Sequence, residues 1–234
     1  MQMVLPLINC LVWLLVKITS IWSSRNESVF VSKQPSCAEE SQVIARNLTK
    51  RYGIYTKPND KQKPLEIYME IEILNLGSAN DYTMEMTTQL KMIQSWNDDR
   101  LQFTNLAHQV TKLPTHIHLA YDQQKMIWLP DTYISTERSG QEHNVDQPNV
   151  FVTVTKHGYV TYSKRITATF SCPMHLALYP HDNQTCILEF GSYLHQKNEV
   201  VYRWRDLKVS LRTDHCLSIF FLEKITNDTL TDTT

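Results

Sequence analysis

The stretch Leu65-Glu-Ile-Tyr-Met-Glu-Ile-Glu-Ile-Leu74 alternates apolar and polar residues with a period of two. Leu65, Ile67, Met69, Ile71 and Ile73 share one face, and Glu66, Glu70 and Glu72 share the other. Successive side chains of a strand point to opposite faces, so this run predicts a strand with one buried and one solvated side. The polar break Gly77-Ser-Ala-Asn-Asp81 then leads into a second long run, Tyr82 to Trp96, and the pair reads as a hairpin. Further strand candidates are Ile117 to Leu119, Lys125 to Leu129, Val150 to Thr155, Tyr159 to Phe170, Thr185 to Tyr193, Glu199 to Trp204 and Leu217 to Glu223. Lys156-His-Gly-Tyr159 is a second tight turn. One helix candidate precedes them. Ser36 and Glu39 have capping-box spacing, Val43, Ile44 and Leu48 supply an apolar stripe, and the helix ends near Lys50. Many closely spaced strands without a βαβ rhythm predict an all-β antiparallel sandwich.

The chain has 234 residues, 42% hydrophobic and 20% charged, with 23 basic against 24 acidic residues. No repeat or linker divides it, so one domain is expected. A formal net charge of −1 offers no basic field for nucleic acid. A mean hydropathy of −0.34 excludes a polytopic membrane protein for the chain as it stands. Neither a phosphate loop, nor H-E-x-x-H, nor G-x-S-x-G occurs, so no enzyme, no catalytic residue and no cofactor are expected. His116-x-His118 sets two imidazoles on one strand face. With no third thiolate or carboxylate in view the pair reads as surface residues, and no metal site is assigned.

The start of the chain reads as an export signal. Met3 to Val16 is an apolar run of 14 residues, short for a spanning helix, which needs about 20. Ser20, Ser23 and Ser24 are candidate cleavage positions, although no Lys or Arg precedes the apolar run. The alternative is an uncleaved anchor. Once Cys10 leaves with the signal, Cys37, Cys172, Cys186 and Cys216 remain, an even number, as secretion favours. Sequons stand at Asn26, Asn47, Asn183 and Asn227. The expected organisation is a signal over 1–23, a polar lead over 24–35, the β-sandwich over 36–225 and a polar tail over 226–234. The expected location is the secretory pathway and the extracellular face of the plasma membrane.

Cys172-Pro-Met-His-Leu-Ala-Leu-Tyr-Pro-His-Asp-Asn-Gln-Thr-Cys186 places thirteen residues between two cysteines. A bridge there would close a loop of about 15 residues and add roughly 3 kcal/mol on the chain-entropy model. Pro173 and Pro180 stiffen the loop. Read from its residues alone, the segment is a stapled hairpin loop that serves stability or presents a shaped tip.

The segment resembles the signature loop of the Cys-loop receptors, the pentameric neurotransmitter-gated ion channels. Tyr179, Pro180, Asp182 and Gln184 stand where that family has its aromatic-Pro-x-Asp centre and its Gln before the second cysteine. Cys172-Pro-Met174 resembles the anion-channel branch gated by GABA, glycine or glutamate. Trp96-Asn-Asp98-Asp-Arg100-Leu101 resembles the family's W-x-D-x-R-L, and Trp128-Leu-Pro130-Asp131-Thr-Tyr133 resembles the segment of binding loop A. Pro148 to Val150 and Tyr162 to Ile166 are similar to loop E, and Gly191-Ser192-Tyr193 to loop B.

The resemblance implies an N-terminal helix and a sandwich of about ten strands, with a Cys172–Cys186 disulfide. It implies a small-molecule neurotransmitter held between homologous subunits of a homo- or hetero-pentamer. Tyr133, Ser192 and Tyr193 would serve one face of that interface and Ser163 the other. Tyr179, Pro180 and Asp182 would form the gating loop that meets the membrane end. Aromatic faces suit a cationic amine, and hydroxyls suit a polar head group.

Three departures from the family are visible. Positions where glutamate-gated members carry carboxylate-clamping arginines hold Leu74 and Ile93, which argues against a glutamate site on that face. Cys37 and Cys216 are expected to be free or intermolecular. The sequence ends at Thr234, so the tip of loop C, the last strand and the membrane pore are expected to be absent. The functional expectation is therefore the ligand-binding region of a truncated channel subunit, touching the membrane only through the missing pore. The alternative is a secreted ligand-binding or assembly-blocking protein without channel activity.

Overall fold

The computed structural model describes residues 37–50, 52–58, 63–105, 113–179 and 182–209. Helix α1, Cys37–Lys50, opens the described chain. Ile44, Ala45 and Leu48 face the core, but Val43 is 53% exposed and leaves the expected stripe. At about 100° per residue, the side of the helix that holds Ile44 and Leu48 excludes Val43. Ser36 and the Glu39 side chain, the expected capping box, lie outside the described residues.

Nine strands follow among the described residues. They are β1 Leu65–Asn80, β2 Glu85–Asn97, β3 His116–Leu119, β4 Thr132–Ile134, β5 Glu137–Glu142, β6 Val150–Thr155, β7 Tyr159–Ser171, β8 Phe190–Ser192 and β9 Val200–Val209. Seven form one sheet in the order β3-β6-β7-β2-β1-β9, with β5 paired to the far part of β7. β4 and β8 form a small second sheet. The fold is the all-β architecture expected, with one correction of direction. β9 runs parallel to β1, from Leu65 opposite Val200 to Ile73 opposite Val209 with one register shift at Met69/Glu70, while the other ladders are antiparallel.

The period-two face of β1 is buried as expected: Leu65, Ile67, Met69, Ile71 and Ile73 line the core. They head two successive clusters. Leu65 and Ile67 join Trp96, Leu101, Phe103, Trp128, Val152 and Val154, and the other three join Leu90 and Met92. A third cluster, Met86, Phe170, Cys172 and Met174, closes the end near the disulfide. Each fully buried side chain of this size contributes about 1.5–3 kcal/mol. Trp96 meets Trp128 edge to face, with centroids 5.7 Å apart.

The strand limits differ from the sequence reading in several places: β4 and β5 stand where no strand was expected, and β9 runs on to Val209 instead of ending at Trp204. β1 runs on through Gly77 to Asn80, because register shifts at Ile73/Asn75 and Leu76/Ala79 absorb the polar residues within the ladder. The hairpin turn falls instead at 81–84. There the Asn80 side chain accepts the backbone N–H groups of Tyr82 and Thr83, at 3.0 and 3.2 Å. Lys125 to Leu129 is not a strand. A one-turn helix α2, Tyr121–Gln124, ends there, and the following turns drop Ile127 and Trp128 into the core. Of Thr185 to Tyr193, only Phe190–Ser192 joins a ladder. Leu217 to Glu223 lies outside the described residues.

A buried polar clamp ties the chain after α1 to the end of β2. Asp98 is wholly buried and accepts Arg100 Nε and Nη2, both at 2.9 Å, and the Tyr52 hydroxyl. The Arg100 guanidinium sits 4.2 Å above the Tyr52 ring and donates to the carbonyls of Gly53 and Thr56. Burial, with Asp98 alongside, pushes the Tyr52 phenol far above its ordinary pKa. Gly158 completes the clamp by bonding Asp98 N–H through its carbonyl at 2.9 Å. Its φ is +83°, and a Cβ there would overlap the Asp98 carbonyl oxygen. Gly158→Ala should therefore lower the stability of the folded chain by about 1–3 kcal/mol. Thermal unfolding of the purified protein measures this, and an unchanged midpoint would remove the constraint.

Candidate functional site

Strands β4 and β8 build the site. Their register sets Thr132 opposite Ser192, Tyr133 opposite Gly191 and Ile134 opposite Phe190. Tyr133 and Tyr193 then meet edge to face, with centroids 5.7 Å apart and planes at 88°. Tyr133 is 41% exposed and Tyr193 is 82% exposed, so both rings offer surface to solvent. Such a pair is favoured by the ring quadrupoles, and its faces are electronegative.

The turn that carries Tyr193 hangs on one carboxylate. Asp131 accepts the Ser192 hydroxyl at 2.7 and 2.9 Å and also accepts the Leu194 N–H. The Asp131 carbonyl accepts Tyr193 N–H at 3.3 Å, and Ser192 Oγ accepts His195 N–H at 2.9 Å. His195 Nδ1 lies 3.3 Å from Glu199 Oε2, and its ring lies 6.1 Å from Trp128. Partial burial raises the Asp131 pKa, but the Ser192 and Leu194 hydrogen bonds outweigh it and hold the carboxyl below its usual range.

Beneath β4, Thr132 Oγ1 lies 2.8 Å from the Tyr202 hydroxyl and accepts the Gln94 amide. Burial pushes the Tyr202 phenol up to about 12. Lys164, on the inward side of β7, is held below the usual lysine range by burial.

The four expected ligand residues do not stand together in one chain. Tyr133, Ser192 and Tyr193 share the β4–β8 sheet, and the Ser192 hydroxyl is engaged with Asp131. Ser163 lies on β7 in the long sheet, buried, in register with Phe151 on one side and Ile93 on the other. Phe151 is 45% exposed. The sequence reading assigned no role to Asp131 or Thr132. The Trp-x-Pro-Asp-Thr-aromatic motif contained both, and it was the signal that marked them.

The disulfide Cys172–Cys186 is formed. Gln184 clips the loop shut, accepting His175 N–H and donating to His175 O, both at 2.9 Å, and donating to Asp182. Cys172 N–H bonds the carbonyl of Met84 at 2.8 Å, which joins the loop to the β1–β2 turn. Tyr179 is exposed at the tip, and Pro180 lies outside the described residues. Asn47 and Asn183 are exposed. Asn26, Asn227, Cys216, the Cys37 side chain, the signal over 1–23, the lead over 24–35 and the tail over 226–234 lie outside the described residues.

Residues 40–232 match the family of neurotransmitter-gated ion-channel ligand binding domains. The chain belongs to this family. As a ligand-binding domain of the Cys-loop receptors it stands with the anion-channel branch and not with enzymes. It is 32% identical over 171 residues to the glutamate-gated chloride channel of Drosophila melanogaster, covering 73% of this chain and 36% of that protein. It is 32% identical over 183 residues to the glutamate-gated chloride channel subunit beta of Haemonchus contortus, covering 76% and 41%. It is 26% identical over 181 residues to the human gamma-aminobutyric acid receptor subunit epsilon, covering 77% and 34%. The chain thus spans well under half the length of these curated relatives. Among the described residues no helix is long and apolar enough to cross a membrane.

The Asp131 bonds carry a pH signature. A carboxyl whose folded pKa is depressed contributes stability above its unfolded value of about 3.9, and loses it as pH falls through the lower folded value. Hydrogen-exchange protection of the Leu194 and His195 amides should hold from pH 7 to pH 5 and fall below about pH 4. Asp131→Ala should remove that protection already at pH 7. Protection that survives the substitution would show that the turn is held by other contacts.

Proposed function

We propose that residues 36–225 form the extracellular ligand-binding region of an anion-type Cys-loop channel subunit, which captures a small neurotransmitter between homologous subunits of a pentamer. The observation that carries this reading is the exposed Tyr133–Tyr193 pair on a turn anchored by Asp131. Two ring faces held at right angles suit a protonated amine, through the attraction of a cation for the aromatic quadrupole. Ser192 acts in this reading as a positioning residue, because its hydroxyl already serves Asp131. Ser163 is buried in the long sheet, so in this reading it backs the face offered to the neighbouring subunit from beneath.

The relatives bear glutamate- and GABA-receptor names, and this supports a small transmitter and a chloride-conducting assembly. The positions Leu74 and Ile93 offer no guanidinium, so a carboxylate clamp of the arginine kind is not available there. An amine that lacks a carboxylate fits the residues better than glutamate does. The disulfide loop with Tyr179, Pro180 and Asp182 would pass the binding signal to a pore region supplied beyond this domain. Export through a signal over 1–23, a polar lead over 24–35, a polar tail over 226–234 and glycans on Asn26, Asn47, Asn183 and Asn227 complete the proposal.

Residues 36–225 grafted in place of the corresponding region of the Drosophila glutamate-gated chloride channel test it. Surface delivery is checked by antibody, and currents are recorded under a panel of amine and amino-acid transmitters. An evoked chloride current supports the reading, and surface-expressed but silent receptors count against it. Tyr193→Ala should raise the half-effective agonist concentration by about tenfold, the loss of one cation–ring contact of about 1–2 kcal/mol. An unchanged value would remove Tyr193 from the site.

A further inference from the structure

We propose that His116 and His118 form a binding site for a divalent transition-metal ion of the Zn2+, Cu2+ or Ni2+ class on the outer face of β3. The two residues are separated by one position in a strand, so both imidazoles leave the same face. Both are exposed, while Ile117 and Leu119 between and beside them are buried in the core. Burial of that inner face fixes the outer pair, because rotating the strand would expose Ile117. β3 is the terminal strand of the long sheet among the described residues, and its partner ladder is β6.

The spacing suits one ion. The ring centroids are 5.3 Å apart. A zinc–nitrogen bond is about 2.0–2.1 Å, and a ring nitrogen lies about 1.1 Å from its centroid. Two imidazoles at a tetrahedral angle on one ion therefore have centroids about 5 Å apart. The observed centroid separation of 5.3 Å is close to that value.

The tautomer suits it as well. His116 Nδ1 lies 3.0 Å from Thr115 Oγ1, and His118 Nδ1 lies 3.0 Å from Thr153 Oγ1 across the ladder. A hydroxyl oxygen has lone pairs that accept an N–H. With Nδ1 protonated and donating to these hydroxyls, the free lone pair sits on Nε2, where a metal takes it. The two threonines thus act as the orienting groups that metal-binding histidines use. Imidazole favours zinc, copper and nickel, whereas Ca2+ and Mg2+ favour oxygen ligands. Two protein ligands leave the remaining positions to water, so the ion is exchangeable. The pair lies on a different sheet from Tyr133 and Tyr193, and this proposal does not rest on the transmitter reading.

The test titrates Zn2+ into the full secreted chain against a competing colorimetric chelator, with Ca2+ as a control. His116→Gln and His118→Gln should each weaken the strongest Zn2+ site by about 10–100-fold, and the double variant should be little worse than either single one. His143→Gln should leave the affinity unchanged. Both changed positions are exposed, so metal-free thermal midpoints should match that of the parent. Independently, Cu2+ added at one equivalent to the unaltered chain should show two coordinated imidazole nitrogens by electron paramagnetic resonance. Affinities within twofold of the parent in either single variant, equal binding of Ca2+, or a one-nitrogen copper spectrum would each overturn the proposal.

Discussion

Strand β1 is enclosed on three sides, by β2 along one edge, β9 along the other and the core beneath. Its five alternating apolar side chains can be buried in only one register. A slip by one residue would turn Glu66, Glu70 and Glu72 inward, at the cost of unpaired buried carboxylates. In the observed register these acids stay on the outer face, where Lys208 pairs with Glu70, Arg203 with Glu66 and Lys91 with Glu72. Such pairs at the surface contribute little energy, and they keep the acids solvated and paired on the outer face. The other strands of the long sheet are placed from this one. β2 sets β7, and β7 carries both β6 and β5.

Two carboxylates then do for the loops what β1 does for the sheet. Asp98 gathers Tyr52, Arg100 and Gly158 at one end of β2. Asp131 gathers Ser192, Tyr193, Leu194 and, through Ser192, His195. In each case the carboxylate accepts one loop backbone N–H, that of Arg100 or of Leu194, together with side-chain donors, and this lets a loop hold one conformation. The exposed tyrosines are therefore presented on a turn that is held by hydrogen bonds at several points.

Much of this was legible in the residues. Period two marked β1, and the strands β6 and β7 stood close to their expected limits, because each has one buried face that writes its pattern. The stapled loop was legible through its cysteine spacing. Lys125 to Leu129 misled because Ile127, Trp128 and Leu129 are apolar for a different reason: they plug the core from a turn, and a short apolar run does not distinguish the two. The parallel pairing of β9 left no local trace, since direction is decided by a partner far away in sequence. Val43 misled because an apolar residue on a helix is not obliged to face the core. Ser192 had the chemistry of a ligand contact, and only geometry showed its hydroxyl already in use.

The pairing of Leu65 with Val200 has a consequence for assembly in time. The β1–β2 hairpin and the disulfide loop join neighbours in sequence and close early. The β1–β9 ladder must wait until nearly the whole domain has emerged from the ribosome, because non-local pairing incurs a large loop-closure entropy. In that interval one flank of the central strand displays unsatisfied amides and carbonyls to its surroundings. The yield of this domain thus depends on how long that edge stays unpaired as well as on the stability of the finished fold.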